Sequence, residues 1–372
     1  PPADRLMFVT GVRDLDLYFA AAWDFANEGA ISSSLNEQQG QPYDLAQKDD
    51  VSQFVFVAMR RVPEQKAKLA LAKGNAVING GAYFVYRNQD IANDSAGAAG
   101  ASIGQSSARV SEGYVWRGAE VIIPDVWFQL RYNKLRIELE AAMVYGSLDS
   151  TQRSGGSDYV NGLAGGDNGW DIRQFGLAMQ SEYLALDDRL KVQFGFGIAS
   201  GDSDVGSLAP SGNALQPQLT ADRTFSTFRF HPNYRIDLIL WRHILNRVQG
   251  AYYFRPSVDY DFIRDDDGQK VGGGAAAIWS RASEFVQTPG HASDLGVELN
   301  AQIYYQAKDG GLNDDPDKMG GFFTMLQYGV LFPLDGLGYL PSQRVQYESL
   351  PRTGVLDTAT AQTVRWYLGI LY

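Results

Sequence analysis

The sequence predicts an all-β chain of about twelve long antiparallel strands, within a range of roughly 10–16, running up and down in sequence order. Three observations carry this. Apolar side chains recur at every second position over stretches of ten or more residues, the period of a strand with one greasy face. Connections rich in Gly, Ser and Asp separate those stretches and alternate between long and short. No apolar run reaches the ~18 residues of a membrane-spanning helix.

The strands are justified in order. From Asp14 to Phe25, Leu15, Leu17, Phe19, Ala21, Trp23 and Phe25 share one face, while Asp14, Asp16, Tyr18 and Asp24 share the other. Buried in a dry core, each aspartate would cost several kcal/mol unless paired or hydrated, so the apolar face is expected to point outward. Residues 28–50 read as a long loop. Val51 to Arg60 is a strand with Phe54, Phe56 and Ala58 on one face, and a short connection through Pro63 follows. Ala67 to Tyr86 reads as one bent strand or two, and 88–113 as a second long loop.

The sharpest hairpin runs from Val126 to Tyr145. A two-residue turn at Asn133-Lys134 sets 132 against 135, 130 against 137 and 128 against 139. Apolar residues then meet apolar partners, and Arg131 opposes Arg136 on a face that must be wet. Past a loop at 149–168, Phe175, Leu177, Met179 and Tyr183 lead through Asp187-Asp188 to Leu190, Val192, Phe194, Phe196 and Ile198. The small residues between them, such as Gly176, Gly195 and Gly197, are expected to leave room for water. A loop spans 201–224. Phe225 to Trp241 and Arg247 to Phe262 read as a hairpin about a turn at 242–246. The spacing of Ile236, Leu240, Ile244 and Val248 also fits a helix, ranked second. Loop 263–292, strand Asp294 to Gln306, connection 308–318, strand Gly320 to Phe332 and loop 333–359 lead to the last strand. The alternation of loop lengths places both termini on the short-loop rim.

Composition agrees with this layout. The chain has 372 residues, no cysteine and 45% apolar content, with 43 acidic against 32 basic residues for a net charge of -11. Disulfide and thiolate chemistry are excluded, and the sign of the charge argues against nucleic acid. Mean hydropathy is -0.24. A helical membrane protein is thereby excluded. The beginning, Pro1-Pro2-Ala3-Asp4, lacks a basic and apolar targeting region and reads as a mature or trimmed chain. The alternative to a membrane protein is a soluble barrel or sandwich with its apolar faces turned inward, disfavoured by strands longer than the ~5–6 residues usual in soluble sheets.

The last ten residues, TVRWYLGILY, place Val364, Trp366, Leu368, Ile370 and the terminal Tyr372 on one face. This ending resembles the final strand of Gram-negative outer-membrane β-barrel proteins, porin-like or solute-export-like, in which it is the assembly signal. The resemblance implies a single transmembrane antiparallel barrel in the cell outer membrane, with periplasmic termini. It also implies outer-membrane lipid and lipopolysaccharide as surroundings, the barrel-assembly machinery as partner during biogenesis, and no cofactor. Trp23, Tyr132, Tyr145, Tyr183, Trp366 and Tyr372 are the expected interface aromatics, with Trp170 and Phe25 near one rim. Closure satisfies the backbone polar groups in hydrocarbon.

Parity assigns Asp14, Asp16, Asp24, Arg131, Arg136, Glu138, Glu140, Glu182, Lys191, Glu298 and Arg365 to the inner face. Such rings of charge set which ions or polar solutes pass, and the acidic excess suggests cations. The expected function is a channel for small hydrophilic solutes or ions. The alternative is a plugged barrel serving as a scaffold or surface-binding protein. A lipid hydrolase built on His291 and Ser293 is a distant third. No enzymatic activity is expected: the stretch from His291 to Asp294 reads as loop decoration, with no nucleophile, base and orienting geometry shown by the sequence, and no two histidines have metal-ligand spacing with a carboxylate. The acidic clusters at 202–204, 265–267 and 314–317 lack a calcium loop with its closing glutamate.

Overall fold

The computed structural model describes residues 4–26, 51–93, 114–149, 169–203, 223–309, 321–351, 354 and 356–371. They form one 14-stranded sheet in which thirteen strands lie antiparallel beside one another in sequence order. The strands are β1 (Asp4–Val12), β2 (Leu17–Ala26), β3 (Val51–Arg60), β4 (Val77–Asn93), β5 (Tyr114–Tyr132), β6 (Leu135–Leu148), β7 (Trp170–Ala185) and β8 (Leu190–Ala199), then β9 (Thr224–Phe225), β10 (Ala251–Arg264), β11 (Lys270–Ala282), β12 (Asp294–Gln306), β13 (Gly321–Pro333) and β14 (Ala361–Leu371). Two short helices, α1 (Glu64–Ala72) and α2 (Pro341–Glu348), occupy connections. Among the described residues no helix is long and apolar enough to cross a membrane.

The hairpin register expected at Asn133-Lys134 is present: Tyr132 pairs Leu135, Leu130 pairs Ile137 and Phe128 pairs Leu139. Strands are long, reaching 19 residues in β5 and 17 in β4, against the ~9–11 needed to cross a bilayer as a tilted strand.

Several expectations are corrected. Residues 4–12 form a strand of their own, and Arg13–Leu15 is a 3-10 turn into β2. Consecutive Leu6, Met7, Phe8 and Val9 blur the alternation there. Ala67 to Ala72 is helical because EQKAKLALA is made of strong helix formers, and Gly74 at φ 76° ends the turn. Strand β11 lies inside the expected loop 263–292; its Gly272-Gly273-Gly274-Ala275-Ala276-Ala277 run has no side-chain contrast for a period to act on. β4 extends to Asn93, and the stretch 333–359 contains α2. Between Phe225 and Ala251 no strand forms. The loops at 28–50 and 150–168, and the acidic cluster 314–317, lie outside the described residues.

β9 lies off the sheet path, pairing β7 in parallel, so thirteen of the fourteen strands form the path. Thirteen alternating strands start and finish on opposite rims. Asp4 therefore lies on the rim of the long connections and Leu371 on the rim of the short ones, where a shared rim was expected. β1 and β14 consequently point the same way.

The ladders sort the side chains onto two faces. On one, Arg5 pairs Asp24, Asp24 pairs Gln53 and Gln53 pairs Arg87. The same face carries Gln129 opposite Glu138, then Glu182, Gln193 and Ser257, and ends on Gln302, Gln327 and Arg365. On the other, a single row runs Phe128, Leu139, Met179, Phe196, Phe254, Trp279, Val297, Phe332 across eight neighbouring strands. Along it the Phe254 ring stacks on Trp279 at 5.7 Å and meets Phe196, tilted, at 5.1 Å. Large apolar residues on this second face are exposed, among them Phe19, Phe56, Val126, Val192, Ile303 and Leu368. Buried apolar residues on the polar face form one large cluster and one small one around Ala22, Val55 and Val85.

Candidate functional site

The large cluster is built by the segment 226–250, which leaves β9 and lies across the polar face before β10 begins. Where a descending strand was expected, the backbone makes one π-helical turn: Ile244 N–H reaches Ile239 O at 3.2 Å and Leu245 N–H reaches Leu240 O at 2.8 Å. Ile236, Leu238, Ile239, Leu240, Trp241, Leu245 and Val248 are buried against Tyr253, Ile278, Leu295 and Leu331. Leu295 was expected to face outward; a bulge in the β11–β12 ladder between Ser280 and Arg281 lies beside it.

Glu298 on β12 fastens this segment. Its Oε1 accepts Leu238 N–H at 2.7 Å, its Oε2 accepts Leu240 N–H at 3.0 Å, and Ile239 N–H is shared between both oxygens at 3.2 Å. Three successive backbone N–H groups thus form a nest for one carboxylate. Ile278 and Leu331 flank Glu298 in the ladders, and it is 1% exposed. A carboxylate this deep is tolerated only with such donors. Trp241 adds a second fastening: its N–H reaches Asp237 Oδ2 at 2.7 Å and its indole Nε1 donates to Ser280 Oγ at 3.0 Å. Asp237, buried beside Glu298, has its carboxyl pushed up to about 7, by burial first and by that neighbouring charge second. Arg255 Nε donates to Ile236 O at 2.9 Å and Arg242 Nε to Asp237 O at 3.1 Å.

Two of the three glycines expected to leave room for water, Gly176 and Gly197, make room for rings instead. A Cβ on Gly176 would meet the Phe228 ring at 2.1 Å, and one on Gly197 would meet Tyr253 at 2.5 Å. The Tyr253 hydroxyl is hydrogen-bonded to that of Tyr234, on which Phe230 stacks at 5.0 Å.

The remaining expected inner-face residues divide into separate groups. Asp24 is buried and paired with Arg5 at 2.6 Å, with Gln53 Nε2 donating to it as well. Asp16 leaves the strand for the turn and pairs with Lys66 of α1 at 2.8 Å, while Asp14 is exposed in that turn. Arg131 pairs with Glu64 of α1 at 2.9 Å, and Arg136 with Glu138 at 2.7 Å. At the short-connection rim, Arg131, Arg136, Glu64 and Glu182 line a cavity of ≈ 920 Å³. Glu182 accepts from Gln193 Nε2 at 3.1 Å. Glu140 is exposed beside Asp125, and Lys191 lies opposite Asp259. Arg365 lies over the Tyr367 ring at 5.9 Å. Glu298 alone among the expected residues holds the segment 226–250.

Of the expected interface aromatics, Trp23, Tyr132, Tyr145, Tyr183 and Trp366 are exposed, and Tyr372 lies outside the described residues. Trp170 is buried, stacked on Phe225 at 4.6 Å. His291 and Ser293 form no hydrogen bond with each other, and Asp294 pairs with Arg281 at 3.5 Å. Sequence reasoning missed Arg235, Asp237, Trp241, Arg242, Arg255 and Ser280. The four-residue spacing of Ile236, Leu240, Ile244 and Val248 was the signal that this stretch is not a strand. No protein-family model matches the chain, and no curated protein matches it.

Proposed function

We propose that the chain is a transmembrane β-barrel of the Gram-negative outer membrane that passes small hydrophilic solutes or ions through a bore narrowed by the segment 226–250. In this reading the sheet closes, its apolar face meets lipid, and its polar face lines the interior. The supporting observation is the uninterrupted apolar row from Phe128 to Phe332, set against charged and hydrogen-bonded residues on the opposite face of the same strands, such as Glu138, Glu182 and Gln302. Apolar surface on that scale is unfavourable in water, whereas a closed sheet satisfies every backbone group in hydrocarbon. Closure joins β1 to β14, and since both run the same way, a direct seam is a parallel pair.

A second reading is favoured by one observation, the fastening of 226–250 through Glu298: the bore is shut and the barrel serves as a scaffold. Planar-bilayer conductance of the purified, refolded chain tests the proposal. Discrete conductance steps are expected. Heat-modifiable gel mobility together with an absence of conductance would replace the channel with the scaffold, and a failure to insert into liposomes would remove both.

A further inference from the structure

A second cavity, of ≈ 420 Å³, lies under the internal segment and is lined by Arg235, Arg242, Arg255, Asp237, Asp259 and Tyr367, among others. Its three guanidinium groups are bound to neutral acceptors. Arg235 Nη1 donates to Asn246 O at 3.0 Å, Arg242 Nε to Asp237 O, and Arg255 to Ile236 O and, at 3.2 Å, to Ser257 Oγ. Among the described residues none of them makes an ion pair with a carboxylate. A fourth guanidinium lies next to the lining without being part of it: Arg365 sits over the face of the lining residue Tyr367 at 5.9 Å, and its Nη1 is buried without a hydrogen-bond partner. The charges of Arg365 and Arg235 both bear on Arg242.

The acidic side is weaker. Asp259 is engaged by Gln302 Nε2 at 2.7 Å, and Asp237 is turned into the contact with Trp241 N–H. Like charges brought together in a partly dry space repel, and each guanidinium offers five N–H donors, most of them unused here. Planar forks of this kind match carboxylate and phosphate oxygens.

We infer that this cavity binds a small oxyanion, a phosphate or carboxylate species, between Arg235, Arg242, Arg255 and Arg365. This names the solute class of the proposed channel and rests on that reading only for the route by which the anion arrives. It also reverses the cation preference that net charge suggests, because local guanidinium density outweighs a charge of -11 spread over the whole chain.

The test is equilibrium dialysis of inorganic phosphate against the full chain folded in detergent, at constant ionic strength. Saturable binding is expected for the parent. Arg365→Gln removes no hydrogen bond to the described residues and Arg235→Gln removes bonds to the carbonyls of Asn246 and Arg242; each should weaken phosphate binding by about tenfold or more, since charge-assisted bonds dominate such sites. Arg173→Gln, whose partner is Asp171, should leave it unchanged. Heat-modifiable gel mobility confirms that every variant is folded. No saturable phosphate binding by the parent, or equal affinity in folded Arg365→Gln and Arg235→Gln, overturns the site. Conductance measured in parallel separates the two readings: channels without phosphate binding sink the site alone, and phosphate binding without conductance supports the site while removing the channel.

Discussion

Glu298 Oε1 accepts the backbone N–H of Leu238 at 2.7 Å, joining strand β12 to a segment 60 residues earlier in the chain. With Ile239 and Leu240 also donating to the same carboxylate, this side chain makes more hydrogen bonds to the segment 226–250 than any other on the described strands. Glu298→Ala leaves three buried N–H groups without an acceptor, a loss of roughly 1–3 kcal/mol for each group that finds no new partner. Larger conductance steps and an earlier heat-modification midpoint are expected. Glu298→Gln keeps one good acceptor and should fall between the parent and Glu298→Ala. An unchanged conductance in both variants would show that the segment does not narrow the passage.

Asp237 makes the fastening depend on pH. Burial and the neighbouring Glu298 raise its carboxyl to about 7, so the held segment favours the protonated form. That contribution is complete below the ordinary carboxylate range near ~4, declines as pH rises, and is lost through about 7. Its Oδ1 is buried without a partner, in keeping with a group that gains little from ionising. Conductance recorded from pH 5 to 9 should increase on the alkaline side, and Asp237→Asn should flatten the profile at its low-pH level.

The proposed lipid contact of the apolar face is tested by charge. Phe194 lies in the middle of β8, 36% exposed and beside Phe254. Phe194→Arg places a cation where lipid is proposed, and should lower folding stability in liposomes by ~2–4 kcal/mol. On the surface of a soluble protein the same change would stay within ~0.5 kcal/mol. Urea titration of the liposome-inserted protein, read by tryptophan emission, distinguishes the two.

Closure is tested by cysteines, which the native chain lacks. Phe8→Cys on β1 combined in turn with Val364→Cys, Trp366→Cys and Leu368→Cys on β14 samples successive registers on the apolar face. One pair is expected to oxidise to an intramolecular disulfide that alters the mobility of the heat-denatured chain. If none does, β1 and β14 are not direct neighbours.

How far the sequence led depends on side-chain contrast. Residues 126–145 carried both a strict period and a two-residue turn, so the register of β5 and β6 could be written down residue by residue. β11 could not, because glycine and alanine look the same on either face. β1 was hidden by four consecutive apolar residues, and α1 by an extended reading carried across glycine-punctuated sequence. The candidate site was half legible. Parity placed Glu298 on the polar face, but its partners are backbone N–H groups, which leave no mark in a sequence. The arginines of 235–255 were passed over because that stretch was read as a hairpin, although its four-residue apolar spacing pointed elsewhere.

The orientation of the two faces is tested most directly by tryptophan quenching in liposomes made with brominated phospholipids. Trp366 is 69% exposed on the apolar face of β14, and Trp241 is 1% exposed within the internal segment. In variants retaining only one tryptophan, Trp366 emission should be strongly quenched by the brominated chains and Trp241 emission should not. Quenching of Trp366 by aqueous iodide, with no response to brominated lipid, would place the apolar face in water and contradict the membrane assignment.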